Sequence, residues 1–127
     1  IKSDIKISNK NFKSFKELKH VLSIASKNYQ SAISRLKLTP KQNLIIKIRD
    51  KILGIIDKKG SFIFDVKANN IGKEPFLELN IEPGFLTRLL EGNLHWNDAC
   101  LSLKITWKRQ PNIFCSDTLN ALNYLKL

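Results

Sequence analysis

A chain of 127 residues that is 43% hydrophobic is one domain long and has enough apolar material for a core, which excludes global disorder. Its formal net charge of +11 sits entirely in the first half: residues 1–60 hold 15 basic and 4 acidic residues, and residues 61–127 hold 7 of each. With 18 Lys to 4 Arg, the excess reads as a solvated face, because base and phosphate recognition recruits Arg clusters with interleaved aromatics; specific nucleic acid is therefore not an expected partner. No apolar run approaches a membrane span and no signal-peptide pattern opens the chain.

Residues 1–10 are polar and Lys-rich and read as a linker remnant. The absence of Met and the start at Ile1 lead to the expectation of a domain cut from a longer protein, with residues 11–127 as its single α+β domain. From Asn11 the pattern is helical. Phe12, Phe15, Leu18, Leu22, Ala25, Tyr29, Ala32 or Ile33, and Leu36 recur at three- and four-residue steps, and Lys13, Lys16, Lys19, Lys27 and Arg35 take the other side. This predicts a long amphipathic helix over about 12–37.

Thr39-Pro40 has the form of an N-cap followed by a first helical position. Ile45, Ile48, Ile52 and Ile55 or Ile56 follow at helical spacing, and Lys58-Lys59-Gly60 has the form of a C-terminal stop. A second helix is the expectation. A strand competes over 44–56, because Leu44, Ile46 and Ile48 also alternate and Ile is β-branched.

After Gly60 the period becomes two. Phe62, Phe64 and Val66 share one face of a strand over 61–67, and Leu77, Leu79 and Ile81 one face of a strand over 76–82. Joined by a Gly/Asn loop, the two predict an antiparallel hairpin with one wet face. Pro83 opens a short helix with Phe85, Leu86, Leu89 and Leu90 on its apolar side, and Gly92 stops it. Leu101, Leu103, Ile105 and Trp107 alternate along a third strand, 100–107, broken by Pro111. Ser116 or Asp117 caps a last helix that buries Leu119, Leu122 and Leu125. The fold class is thus an antiparallel sheet of at least three strands with helices packed on one face, preceded by a helical pair.

The chemistry-bearing residues do not converge. His20 lies among lysines on the first helix. Glu78, Glu82 and Glu91 are spread over exposed faces. Cys100 and Cys115 lack a metal spacing and read as two reduced thiols of a cytoplasmic protein. No nucleophile motif, H-E-x-x-H, glycine-rich phosphate loop or acidic metal cluster occurs. The expectation is a non-catalytic chain with no cofactor and no metal site. Trp96 is expected to close the core between a helix stop and a strand, the alternative being that His95, Trp96 and Arg109 touch a ligand head group or a partner.

The run Asn80–Ile105, with Leu90-Glu91-Gly92, Leu94, Ala99 and the strand from Leu101, resembles the type-two sterol-carrier-protein domain, a small α/β fold that shelters lipids in an apolar tunnel. The resemblance covers about residues 61–125. It implies binding of a lipid or other apolar small molecule, in a cavity of ~300 Å³ or more, by Phe62, Phe64, Phe85, Leu86, Leu89, Leu101 and Leu103. The form G-x-L-H-W-N-x-A…S…R-x-P-N also resembles the C-terminal tail of bacterial metallo-β-lactamase-fold hydrolases, in which such a domain follows the metal domain. That implies packing on a catalytic domain of the parent chain; a homodimer is the other expected assembly. The rival readings are a purely structural interaction domain with a solid core, and a weak electrostatic binder of nucleic acid or anionic membrane.

Overall fold

The computed structural model describes residues 14–63, 74–96, 105–110 and 116–127. The first helix, α1, runs Phe15–Leu36. Ser14 begins it with a capping box: its hydroxyl accepts from the Glu17 amide at 3.2 Å, and the Glu17 carboxylate accepts from the Ser14 amide at 3.4 Å. Leu18, Leu22, Ala25, Tyr29 and Ala32 form the buried stripe, whereas Phe15 and Leu36, expected in it, are 41% and 45% exposed at the two ends of the helix, and Phe12 lies outside the described residues. Lys37 ends the helix in the left-handed region, φ 55°, and the amides of Lys37 and Leu38 donate to Ile33 O.

The expected second helix is a hairpin. β1 (Asn43–Ile48) and β2 (Lys51–Ile56) pair antiparallel. Their two-residue turn, Arg49-Asp50, has positive φ at both positions, 50° and 66°, the requirement of a type I′ turn. That geometry normally calls for Asn-Gly. Here a residue on a distant strand stabilises it: Asn80 Nδ2 donates to Asp50 Oδ1 at 2.7 Å, and the Asp50 amide donates back to Asn80 Oδ1 at 3.3 Å. Thr39 caps no helix. Its amide and hydroxyl both donate to Asp117 Oδ2, at 2.8 and 2.9 Å.

The register slips between Ile46 and Lys47, which oppose Gly54 and Ile52 and leave Leu53 as the extra residue of a bulge. Gly54 leaves room there for a neighbouring ring. A Cβ would lie 2.5 Å from Cε1 of Phe62, whose ring lies over the strand, and 3.2 Å from Cδ2 of Leu22 on α1. Gly60 does not stop a helix; it closes the turn into β3 (Phe62–Ile63). Asp57 organises that turn, its Oδ1 accepting from the amides of Lys59 and Ser61 at 2.9 Å each, and Gly60 takes the positive φ of 90°.

β4 (Phe76–Ile81) does not pair with β3, as the expected hairpin required. It pairs parallel with β1 and antiparallel with β5 (Ile105–Gln110). Among the described residues the sheet order is β3-β2-β1-β4-β5, so the sheet is mixed, with β1 and β4 parallel and the other pairs antiparallel. The fold is α+β with the described helices on one face: the main core cluster joins α1, the short helices and one side of the sheet. The other side is not uniformly wet. Ile45, Ile55 and Phe76 are buried there, with Ile52 and Ile63 packed against them, beside a Lys47–Glu78 ion pair of 3.0 Å.

α2 (Pro83–Leu90) has Pro at its start, and a Schellman closure ends it: Gly92, at φ 82°, donates to Leu89 O, and Asn93 donates to Arg88 O. α3 (Ser116–Leu122) buries Thr118, Ala121 and Leu122; Leu125 beyond it is buried and Leu119 is half-buried. Thr39 and Asp117 tie α3 to the segment before β1.

The two hydrogen bonds from Thr39, the backbone amide first and then the hydroxyl, hold the Asp117 carboxyl below its ordinary value of 3.8. A carboxyl whose folded value is depressed contributes stability that is present above its unfolded value and lost as pH falls through the folded one. Acid titration of the wild type is therefore expected to show a loss of stability across and below the ordinary Asp range. Asp117→Asn is expected to flatten that loss, as read from denaturation midpoints measured at a series of pH values.

Candidate functional site

The residues expected to line an apolar site come from β3, α2 and the strand after it. Leu86 and Leu89 are fully buried, as is Leu90, and all three belong to one cluster with Leu18, Leu22, Leu77, Leu79 and Ile81. The helical spacing of α2 turns them onto the sheet, whose Leu77, Leu79 and Ile81 alternate to face them. Phe62 and Phe85 are partly buried and pack against that cluster, Phe62 through its ring over Gly54. Phe64, Leu101 and Leu103 lie outside the described residues.

Of the second set, Trp96 is core. It is 2% exposed and its indole Nε1 donates to Leu125 O at 2.8 Å. A ring placed directly after the α2 stop thereby ties that end of α2 to the C-terminal tail. The amide of Leu127 donates to Leu90 O at 2.7 Å, and Asn28 on α1 donates to Lys126 O at 2.6 Å. His95 is exposed beside Trp96. Arg109 is half-buried and stands opposite Leu77, on the helix-covered side of β5. The structure thus brings Leu86, Leu89 and Trp96 into one cluster, packs Phe62 and Phe85 on it, and leaves His95 at the surface.

The carboxylates hold the scaffold together. Glu17 caps α1, Asp50 engages Asn80, Asp57 organises the β2–β3 turn, Glu74 accepts from Asn43, Glu78 pairs with Lys47, and Asp117 binds Thr39. The Asn80 and Asp117 contacts span long stretches of chain, and no local spacing in the sequence announces them. Among the described residues no group of three His, Cys, Asp or Glu is placed to hold a metal ion, and no helix is long and apolar enough to cross a membrane.

Two polar atoms stand apart from this economy. Among the described residues, Trp107 Nε1 and Thr118 Oγ1 are buried and find no hydrogen-bond partner. Trp107 stands opposite Leu79, on the side of the sheet that the helices cover, and Thr118 is fully buried on α3. Set against family models, curated proteins and solved structures, the chain matches none.

Proposed function

We propose that this chain is a non-catalytic accessory domain with a solid core that works through its surface, packing on a catalytic domain of a longer chain or on a second copy of itself. One observation carries the reading. The wall of an empty chamber large enough for a sterol or acyl chain must border solvent-sized space. Leu86, Leu89 and Leu90, where the sheet meets α2, border none. The commitment of the carboxylates to caps, turns and strand contacts supports a scaffold over an acid–base site. The succession β4, α2, Gly92, β5 is the order that the resemblance to sterol-carrier-type domains implies. The resemblance of the tail to metallo-β-lactamase-fold hydrolases makes such a domain the first partner to try, and the reading of both cysteines as thiols makes the cytoplasm its proposed place.

Titration with a fluorescent fatty-acid analogue tests this. The expected result is no saturable signal. Saturable one-to-one binding, displaced by unlabelled fatty acid, overturns the solid core.

A second reading, an apolar-ligand site, is favoured by Trp107 Nε1 and Thr118 Oγ1. A buried polar atom without a partner costs about 1–3 kcal/mol, which the polar group of a ligand would relieve. Thr118→Val separates the two. With a solid core it is expected to raise stability by about 1 kcal/mol in chemical denaturation, since a methyl replaces an unsatisfied hydroxyl. With a ligand site it weakens fatty-acid binding.

A further inference from the structure

The β2–β3 turn is pressed against α1. A Cβ on Gly60 would lie 2.6 Å from the Cα of Gln30, and Gln30 Nε2 donates to Ser61 Oγ at 3.5 Å. This close approach has an electrostatic result. It brings the turn that carries half-buried Lys58 and exposed Lys59 to Gln30, one helical turn beyond Lys27 on α1. The helix also carries the exposed Lys16 and His20. The neighbouring carboxylates face backbone: Asp57 accepts from the amides of Lys59 and Ser61, and Glu17 accepts from the amide and hydroxyl of Ser14. Lys16, Lys27, Lys58 and Lys59 thus outnumber Glu17 and Asp57 along these two neighbouring segments. Ile24, 41% exposed, stands on α1, four residues from His20 and three from Lys27.

We propose that this composite face, α1 from Lys16 to Lys27 together with Lys58-Lys59, docks on an anionic phospholipid surface. The inference rests on the reading of the domain as one that works through its surface, and it adds a lipid partner to the protein partner proposed there. The occupant follows from the chemistry. Lys is a compact point charge suited to a diffuse field of headgroup phosphates and carboxylates, whereas a discrete acidic peptide or a DNA site favours the planar fork of Arg. Arg is absent from this face, its nearest example on α1 being Arg35, which stacks on Tyr124 at 5.7 Å. An exposed Ile among lysines is what an interfacial helix sets below the headgroups. DNA offers no apolar layer to receive it.

The test is co-sedimentation of the 127-residue chain with phosphatidylcholine vesicles containing about one quarter phosphatidylserine, at low and at physiological salt. Binding is expected at low salt, weakening as salt rises, and absent for pure phosphatidylcholine. Lys27→Glu and Lys59→Glu are each expected to lower partitioning by about tenfold. Lys108→Glu makes the same charge change at an exposed site on the edge strand β5, and is expected to leave partitioning near wild type. All three side chains are exposed, so circular dichroism is expected to show each variant folded. The proposal is overturned by no binding to phosphatidylserine vesicles at low salt. Equal losses from Lys108→Glu and Lys27→Glu, which would reduce the effect to net charge, also overturn it, as does tighter binding to duplex DNA than to vesicles at equal anion concentration. The fatty-acid titration reads the core and the vesicles read the face, so failure of one is separable from failure of the other.

Discussion

Trp96→Ala is expected to lower the stability of the fold by about 3–5 kcal/mol, the range for removing a buried large aromatic. The ring is 2% exposed, sits in the main core, and carries the hydrogen bond to Leu125 O. Its loss opens a cavity and leaves a buried carbonyl without its donor, so two penalties add. Trp96→Phe separates them. It keeps most of the apolar contact and removes the donor, and is expected to cost about 1–3 kcal/mol. Urea denaturation of the three proteins gives both numbers. An Ala variant as stable as the wild type would return Trp96, with His95 and Arg109, to the set of residues available to a ligand or partner.

Gly60→Ala is expected to cost about 3 kcal/mol, although it adds a single methyl. Two causes act together. The residue has φ of 90°, where an L side chain is strained, and its new Cβ would meet the Cα of Gln30 at 2.6 Å. The obstacle is helix backbone, which cannot swing aside, so relief comes only by lifting the turn from α1. Gly54→Ala provides the comparison. The atom it meets at 2.5 Å belongs to the far end of the Phe62 ring, which can rotate, and φ there is not in the left-handed region. Gly54→Ala is expected to cost less than Gly60→Ala. The reverse order in denaturation midpoints would mean that the turn gives way more easily than the ring.

The helices of this protein were legible because each buries one stripe. Leu18, Leu22, Ala25 and Tyr29 mark α1, and Pro83 and Gly92 bracket α2. β4 was legible because Leu77, Leu79 and Ile81 alternate with half-exposed Glu78 and Asn80. β1 and β2 were not, for a physical reason. They lie at the middle of the sheet and are buried on both faces, so the period of two is erased, and Ile45, Ile48, Ile52 and Ile55 remain at spacings that mimic a helix. The turn that would have given the hairpin away is Arg-Asp, held at positive φ by Asn80 from another strand, in place of the Asn-Gly that marks such turns. With the strand reading of 44–56 ranked second to a helix, β3 and β4 had only each other to pair with, and the error in topology followed. For the site, sequence placed Trp96 in the core, but the buried, unpartnered state of Trp107 Nε1 and Thr118 Oγ1 depends on packing that no spacing encodes.

The parallel pairing of β1 with β4 also bears on the order in which the molecule assembles. β1 and β2 join through two residues, and β2 and β3 through the short Asp57–Ser61 turn, so this meander can close quickly by local search. β4 can add to β1 only after a loop spanning the whole meander has closed, and its Asn80 then meets Asp50 at the tip of a turn already made. The contact that holds Arg49 and Asp50 at positive φ thus depends on a pairing that closes after the hairpin it supports. Amide exchange in β1, which is paired on both edges, should require opening of the entire sheet, whereas exchange in the edge strands β3 and β5 should proceed through smaller openings.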